Sequence, residues 1–201
     1  MENIIMKKIT VFLMIMLVLC MLVSCSVGGV SGDGASDLSP LGTASENKGS
    51  KGKLPHIADY TGKDMTYTVT VSDGVRSVTL DVKRTGKVTE ATVTSPEEIS
   101  GTGIICDAAG LRVRTPYADC KELTVSPDAA AGLAAVFDLM KTPLGRDSFT
   151  GSKCFSVTVD GLPVKLKVSG EGFPECAEFG EGYGTRYVNY TNVKLSDNGK
   201  K

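Results

Sequence analysis

The sequence predicts a mainly β domain of the α+β class, a curved antiparallel sheet wrapped over one main α-helix. Three observations predict it. Apolar and polar residues alternate with period two over most of residues 65–195, as in strands with one face in a core and the other in water. Asp-Gly and Thr-Gly pairs punctuate the alternation, and such pairs supply the positive φ that tight hairpins need. One segment, 126–141, switches to spacings of three and four. A lone helix with one apolar stripe has only the sheet on which to bury it.

Strands are expected at roughly 65–72, 75–84, 87–94, 102–106, 111–115, 118–124, 152–159, 162–168, 174–179 and 185–195. In MTYTVTVS, Tyr67, Val69 and Val71 share one face and Thr66, Thr68 and Thr70 the other. Val78, Leu80 and Val82 form the apolar set of the next run, reached through Asp73-Gly74 as a two-residue turn. Asp160-Gly161 repeats the device, joining Phe155, Val157 and Val159 to Leu162, Val164, Leu166 and Val168. Thr85-Gly86 and the DAAG stretch at 107–110 mark further turns. The helix SPDAAAGLAAVFDLMK opens with Ser126 as N-cap, Pro127 at its first position and Asp128 in its first turn. Ala129, Leu133, Val136, Phe137 and Met140 form its stripe, and Pro143 ends it.

This order of parts, with a Ser95-Pro96 turn, a hairpin, the SPDAAAGL helix and a closing meander, resembles the bacterial lipoprotein-carrier (LolA/LolB-like) superfamily. It looks closest to small lipoproteins that share that fold. The resemblance covers residues 65–195 and implies a half-barrel closed over an apolar cavity. The chain departs from the pattern in having no Trp and one evident helix. No binding residue is carried across.

The N-terminus indicates export. Ile9–Val23 is apolar except for Thr10, follows Lys7 and Lys8, and is 15 residues long, short of the roughly 20 a helix needs to span a bilayer. A basic start and an apolar run of this length make a secretory signal, with the true start at Met1 or Met6. Leu22-Val23-Ser24-Cys25 resembles the bacterial lipobox. That implies cleavage after residue 24 and acylation of Cys25 by palmitate-type chains, two or three of which give a stable anchor. The expected location is the outer face of the cytoplasmic membrane, or an outer membrane where there is one. Ser26 fits the pattern that sorts to an outer membrane.

Residues 25–63 are expected to be the lipidated cysteine and a disordered tether, because Gly, Ser, Asp and Lys dominate there. As a flexible coil it would span roughly 35 Å. A single domain is expected over 64–196, with a disordered tail at 197–201. Without residues 1–24 the chain carries 20 basic and 22 acidic residues, having lost Glu2, Lys7 and Lys8. That balance points away from nucleic acid. A monomer is expected, with the membrane and a lipid or lipoprotein ligand as its partners.

Catalysis is not expected. His56, the one histidine, falls in the tether, so a domain nucleophile has no imidazole base, and histidine-based metal sites fail likewise. No cofactor or metal is expected. Glu97-Glu98 and Glu171 with Glu175 read as solvated surface, GEGYGTR (180–186) as a hairpin loop, and Tyr183, Tyr187 and Tyr190 as edge packing.

Cys106, Cys120, Cys154 and Cys176 are candidate disulfide cysteines in an exported domain, with three connectivities open. In a simple meander, Cys154 falls opposite Lys167 and Cys176 opposite Lys165. The two cysteines would then flank a middle strand, about 9–10 Å apart, too far for a bridge.

Two functional expectations follow. In the first, the concave face takes a hydrophobic guest, faced by Tyr67, Val69, Val78, Leu80, Val157, Val164 and Leu166 from the sheet and Leu133, Phe137 and Met140 from the helix. In the second, the same residues form a dry core and the domain is a packed cell-surface interaction module. A cavity of a few hundred Å³ would favour the guest; helix side chains filling the sheet would favour the module.

Overall fold

The computed structural model describes residues 53–116, 122–180 and 185–196. The signal segment, Cys25, most of the tether, Cys120, Tyr183 and the 197–201 tail therefore lie outside the described residues.

Eleven strands form one antiparallel sheet: β1 (Met65–Ser72), β2 (Ser77–Thr85), β3 (Val88–Ser95), β4 (Gly103–Asp107), β5 (Gly110–Arg114), β6 (Leu123–Thr124), β7 (Phe149–Gly151), β8 (Cys154–Val159), β9 (Leu162–Val168), β10 (Pro174–Phe179) and β11 (Arg186–Leu195). Their spatial order is β6-β5-β4-β3-β2-β1-β11-β10-β9-β8-β7. Every strand pairs with its neighbours in sequence except β6 and β7, which lie at opposite edges, and at the centre β1 and β11 join the two meanders with Val69 opposite Tyr190. The sheet does not close. Helix α1 (Pro127–Leu139) lies over its concave face and touches both β5 and β8, near opposite edges. Among the described residues, the mainly β half-barrel over one α-helix is thus as the alternation predicts.

The core is one cluster between sheet and helix. Val69, Leu80, Val93, Phe155, Val164 and Leu166 from the sheet meet Leu133, Val136, Phe137, Leu139 and Met140, all essentially buried. Each such side chain contributes about 1.5–3 kcal/mol on leaving water. Ser126 takes the extended N-cap conformation, but its hydroxyl makes no capping hydrogen bond.

Turn chemistry decides two hairpins differently. Asp160 and Gly161 have φ of +49° and +80° between the paired Val159 and Leu162, the expected two-residue loop. Asp73-Gly74 belongs instead to a four-residue loop closed by Ser72 opposite Ser77. The Asp73 carboxylate accepts hydrogen bonds from the amides of Val75 (2.9 Å) and Arg76 (2.8 Å), which holds the wider turn. The strand expected over 118–124 is described only at Leu123–Thr124. The short β7 is an addition, turned into β8 through Ser152 and Lys153, both at positive φ.

Packed structure also begins earlier than composition suggests. The tether was expected to run to residue 63, yet Leu54, Ile57 and Ala58 pack against the core and Tyr60 is 1% exposed. The Ala58 amide donates to the Gly172 carbonyl at 3.0 Å. This strap forms because Leu54, Ile57 and Tyr60 recur every third residue and give a short apolar face that the surrounding Gly, Ser and Lys obscure.

Candidate functional site

All ten residues expected to face a guest belong to the cluster between sheet and helix. Tyr67, Val69, Leu80, Leu133, Phe137, Met140, Val164 and Leu166 are buried, while Val78 and Val157 are partly covered. The alternation of β1, β2, β8 and β9 aims them inward, and the stripe of α1 meets them. An apolar cleft of about 30 Å³ remains, lined by Val71, Val78, Leu80, Val93, Ile104 and Leu133, with Asp73 and Arg76 on its exposed side. Room for about one water is far less than an acyl chain needs. With α1 in this position its side chains fill the concave face.

How α1 is held is the more informative feature. Arg84 projects inward from β2 and is 2% exposed. Its guanidinium donates through Nη1 to the Met140 carbonyl (2.7 Å), through Nη2 to the carbonyls of Tyr60 (2.7 Å) and Lys63, and through Nε to Lys63 (2.9 Å). One fork thereby ties the end of α1, the strap and the sheet together, which a point-charge lysine could not do. A cation at a helix C-terminus also complements the macrodipole. Burial nevertheless pushes the Arg84 guanidinium below its usual pKa, partly offset by Tyr67, Asp64 and Tyr60. Two tyrosines add to the fastening. Tyr190 donates to the Val136 carbonyl at 2.8 Å and Tyr60 to the Thr142 carbonyl at 3.1 Å. Burial raises both phenols above their ordinary pKa. The bonds that reach the helix fall at residues 136–142, and the segment entering its N-terminus is tied to β5 by the Val125 amide donating to the Leu111 carbonyl at 2.9 Å.

Sequence reasoning did not single out Arg84, Tyr60 or the inward role of Tyr190. Arg84 had a signal, since it continues the inward series Val78, Leu80, Val82. Tyr190 is not edge packing: β11 lies at the centre of the sheet, and the side chain is 3% exposed.

Among the described residues the cysteines assemble no site. Cys106, Cys154 and Cys176 are free thiols. Cys154 stands opposite Lys167 as expected, but Cys176 is also opposite Lys167 rather than Lys165, because a register shift between Pro174 and Cys176 moves the pairing. Two strand spacings, about 9.6 Å, separate the pair. Cys106 faces inward near Asp138 and Lys141, and burial raises its thiol pKa. Among the described residues there is no cluster of His, Cys, Asp and Glu suited to a metal, and no helix is long and apolar enough to cross a membrane. His56 is exposed on the strap. The convex face carries an open polar depression of about 500 Å³ bordered by Thr66, Thr68, Asp81, Lys83, Glu90 and Lys194, unsuited to an apolar guest.

No protein-family model matches the chain, and no curated protein does. Among solved structures, it is similar to the crystal structure of a LolA superfamily protein from Nitrosomonas europaea, at 13% identity over 70% of this chain and 89% of that one, with a TM-score of 0.35.

Proposed function

We propose that this is an exported lipoprotein, anchored by acylated Cys25, whose half-barrel takes up a hydrophobic guest such as an acyl chain beneath α1. Helix α1 is then a lid and Arg84 its clasp. The observation that carries this reading is the buried guanidinium, whose hydrogen bonds go to the backbone carbonyls of Met140, Tyr60 and Lys63. Replacing buried charge by apolar groups is often neutral or stabilising, so a charge kept here suits an element that must both close and release. The side-chain hydrogen bonds to the helix fall at residues 136–142, whereas the segment entering its N-terminus is joined to β5 by the Val125 amide donating to the Leu111 carbonyl at 2.9 Å, so the 136–142 end is the one whose release would lift the helix. The role is binding or transfer of a guest rather than catalysis, by a monomer tethered to its membrane.

The filled concave face favours a second reading, a packed module that meets a partner through its surface. Native mass spectrometry of the full chain, extracted from its membrane and stripped of detergent in the spectrometer, separates the two. Extra mass beyond the anchor, behaving as lipid and lost on denaturation, supports the guest. The bare acylated polypeptide, unchanged after incubation with membrane extract, supports the packed module.

A further inference from the structure

One buried polar group beneath the end of α1 has no use in the closed fold. Thr89 takes an inward position of β3, in series with Ala91 and Val93, and is 1% exposed. Its hydroxyl meets no hydrogen-bond partner among the described residues. Valine has nearly the same shape, so packing gives no reason for the hydroxyl, and burying it unbonded costs free energy. Its partners across the sheet are Arg84 on β2 and Cys106 on β4. The three form one row, in which Arg84 bonds the Met140 carbonyl and Cys106 lies near Asp138 and Lys141.

We propose that Arg84 and Thr89 form the head-group site of the guest, which is therefore an acyl-chain amphiphile with an anionic head, a carboxylate or a phosphate. The site rests on the reading of α1 as a lid. Lifting the 136–142 end takes the Met140 carbonyl from Nη1 of Arg84, while Nη2 and Nε stay bonded to the strap carbonyls of Tyr60 and Lys63. The strap thus holds the guanidinium in place with one donor turned to the vacated space. Directly paired residues on antiparallel strands have Cβ atoms about 4.5–5.5 Å apart, so the Thr89 hydroxyl and the freed donor reach the oxygens of one head. A guanidinium beside a hydroxyl suits carboxylate and phosphate alike. An uncharged head would leave the cation without a counter-charge in an apolar surround, which is costly.

Native mass spectrometry of the full chain tests the site, with palmitate offered against methyl palmitate and phosphatidylglycerol against phosphatidylcholine. The wild type should retain the net-anionic member of at least one pair several-fold over its counterpart, and the pair that shows it identifies the head as carboxylate or phosphate. Thr89→Val should abolish most of that preference, while its urea midpoint without lipid stays level or rises. Lys83→Gln, on the outward face of β2, should keep the preference. Equal retention within both pairs overturns the proposal, as does a preference that survives Thr89→Val or falls with Lys83→Gln. A lowered urea midpoint in Thr89→Val also overturns it, since the hydroxyl would then serve the closed fold. Failure of the lid reading looks different: no lipid of either pair is retained, and the head-group site falls with it.

Discussion

The Arg84 guanidinium and the Met140 carbonyl, 56 residues apart in the chain, meet at 2.7 Å beneath the end of α1. Around that bond the strap, the sheet and the helix share one buried cation. Arg84→Met keeps much of the side chain's bulk but takes the guanidinium from the carbonyls of Met140 and Lys63 and leaves that of Tyr60 only the Lys63 amide at 3.2 Å. At about 1–3 kcal/mol for a buried unsatisfied group, with partial rehydration, the expected loss is about 2–4 kcal/mol by urea unfolding. Arg84→Lys should recover less than half of it.

Cys106 reports on the same seam. It is partly covered beside Asp138 and Lys141, so alkylation of its thiol should be slow in the wild type and markedly faster in Arg84→Met under native conditions. Peptide mapping separates it from Cys154 and Cys176 on the outer face. Equal rates in the two proteins would show that the guanidinium does not hold the helix down.

Tyr190 and Tyr60 link alkaline pH to stability. Their phenols are raised above the ordinary value of 10.0, mainly by burial. The neutral form is the one that folds, so their contribution is complete below about pH 10 and is lost as pH rises through the folded values. Unfolding free energy should fall above about pH 10, with a shallower fall in Tyr190→Phe. At neutral pH that variant should lose about 1–2 kcal/mol, because the Val136 carbonyl loses its phenol donor.

Gly172 lies under the strap at φ +87°, and an added Cβ would fall 2.5 Å from the Ala58 nitrogen and 2.7 Å from the His56 carbonyl. Gly172→Ala should therefore lift residues 54–60 off the β9–β10 turn. Faster limited proteolysis before Tyr60 is the expected result, with a stability loss of about 2–4 kcal/mol from overpacking and backbone strain together. An unchanged cleavage pattern would mean that the strap is held elsewhere.

The cleft beside Leu133 offers a gain. Leu133→Phe places ring carbons toward the roughly 30 Å³ of open apolar space, so stability should rise by about 0.5–2 kcal/mol, as cavity filling commonly does. If a guest enters at that end, the same variant should lose its bound lipid in native mass spectrometry.

The fold was largely legible in the sequence because its information is local. Period-two alternation in β1, β8 and β9, the Asp160-Gly161 turn and the helical stripe of 126–141 each follow from neighbours a few residues apart. So did the inward direction of Tyr67, Leu80, Phe137 and Leu166, because side-chain parity along a strand is fixed once one face is known. Tertiary structure alone decided how those faces met. It paired β1 with β11, shifted Cys176 onto Lys167, drew LPHIADY out of the tether, and set Arg84 beneath three carbonyls contributed by two distant segments. A buried charge becomes tolerable only when its partners converge, and that convergence depends on closing loops of 21 to 56 residues, over which the sequence carries no periodic signal.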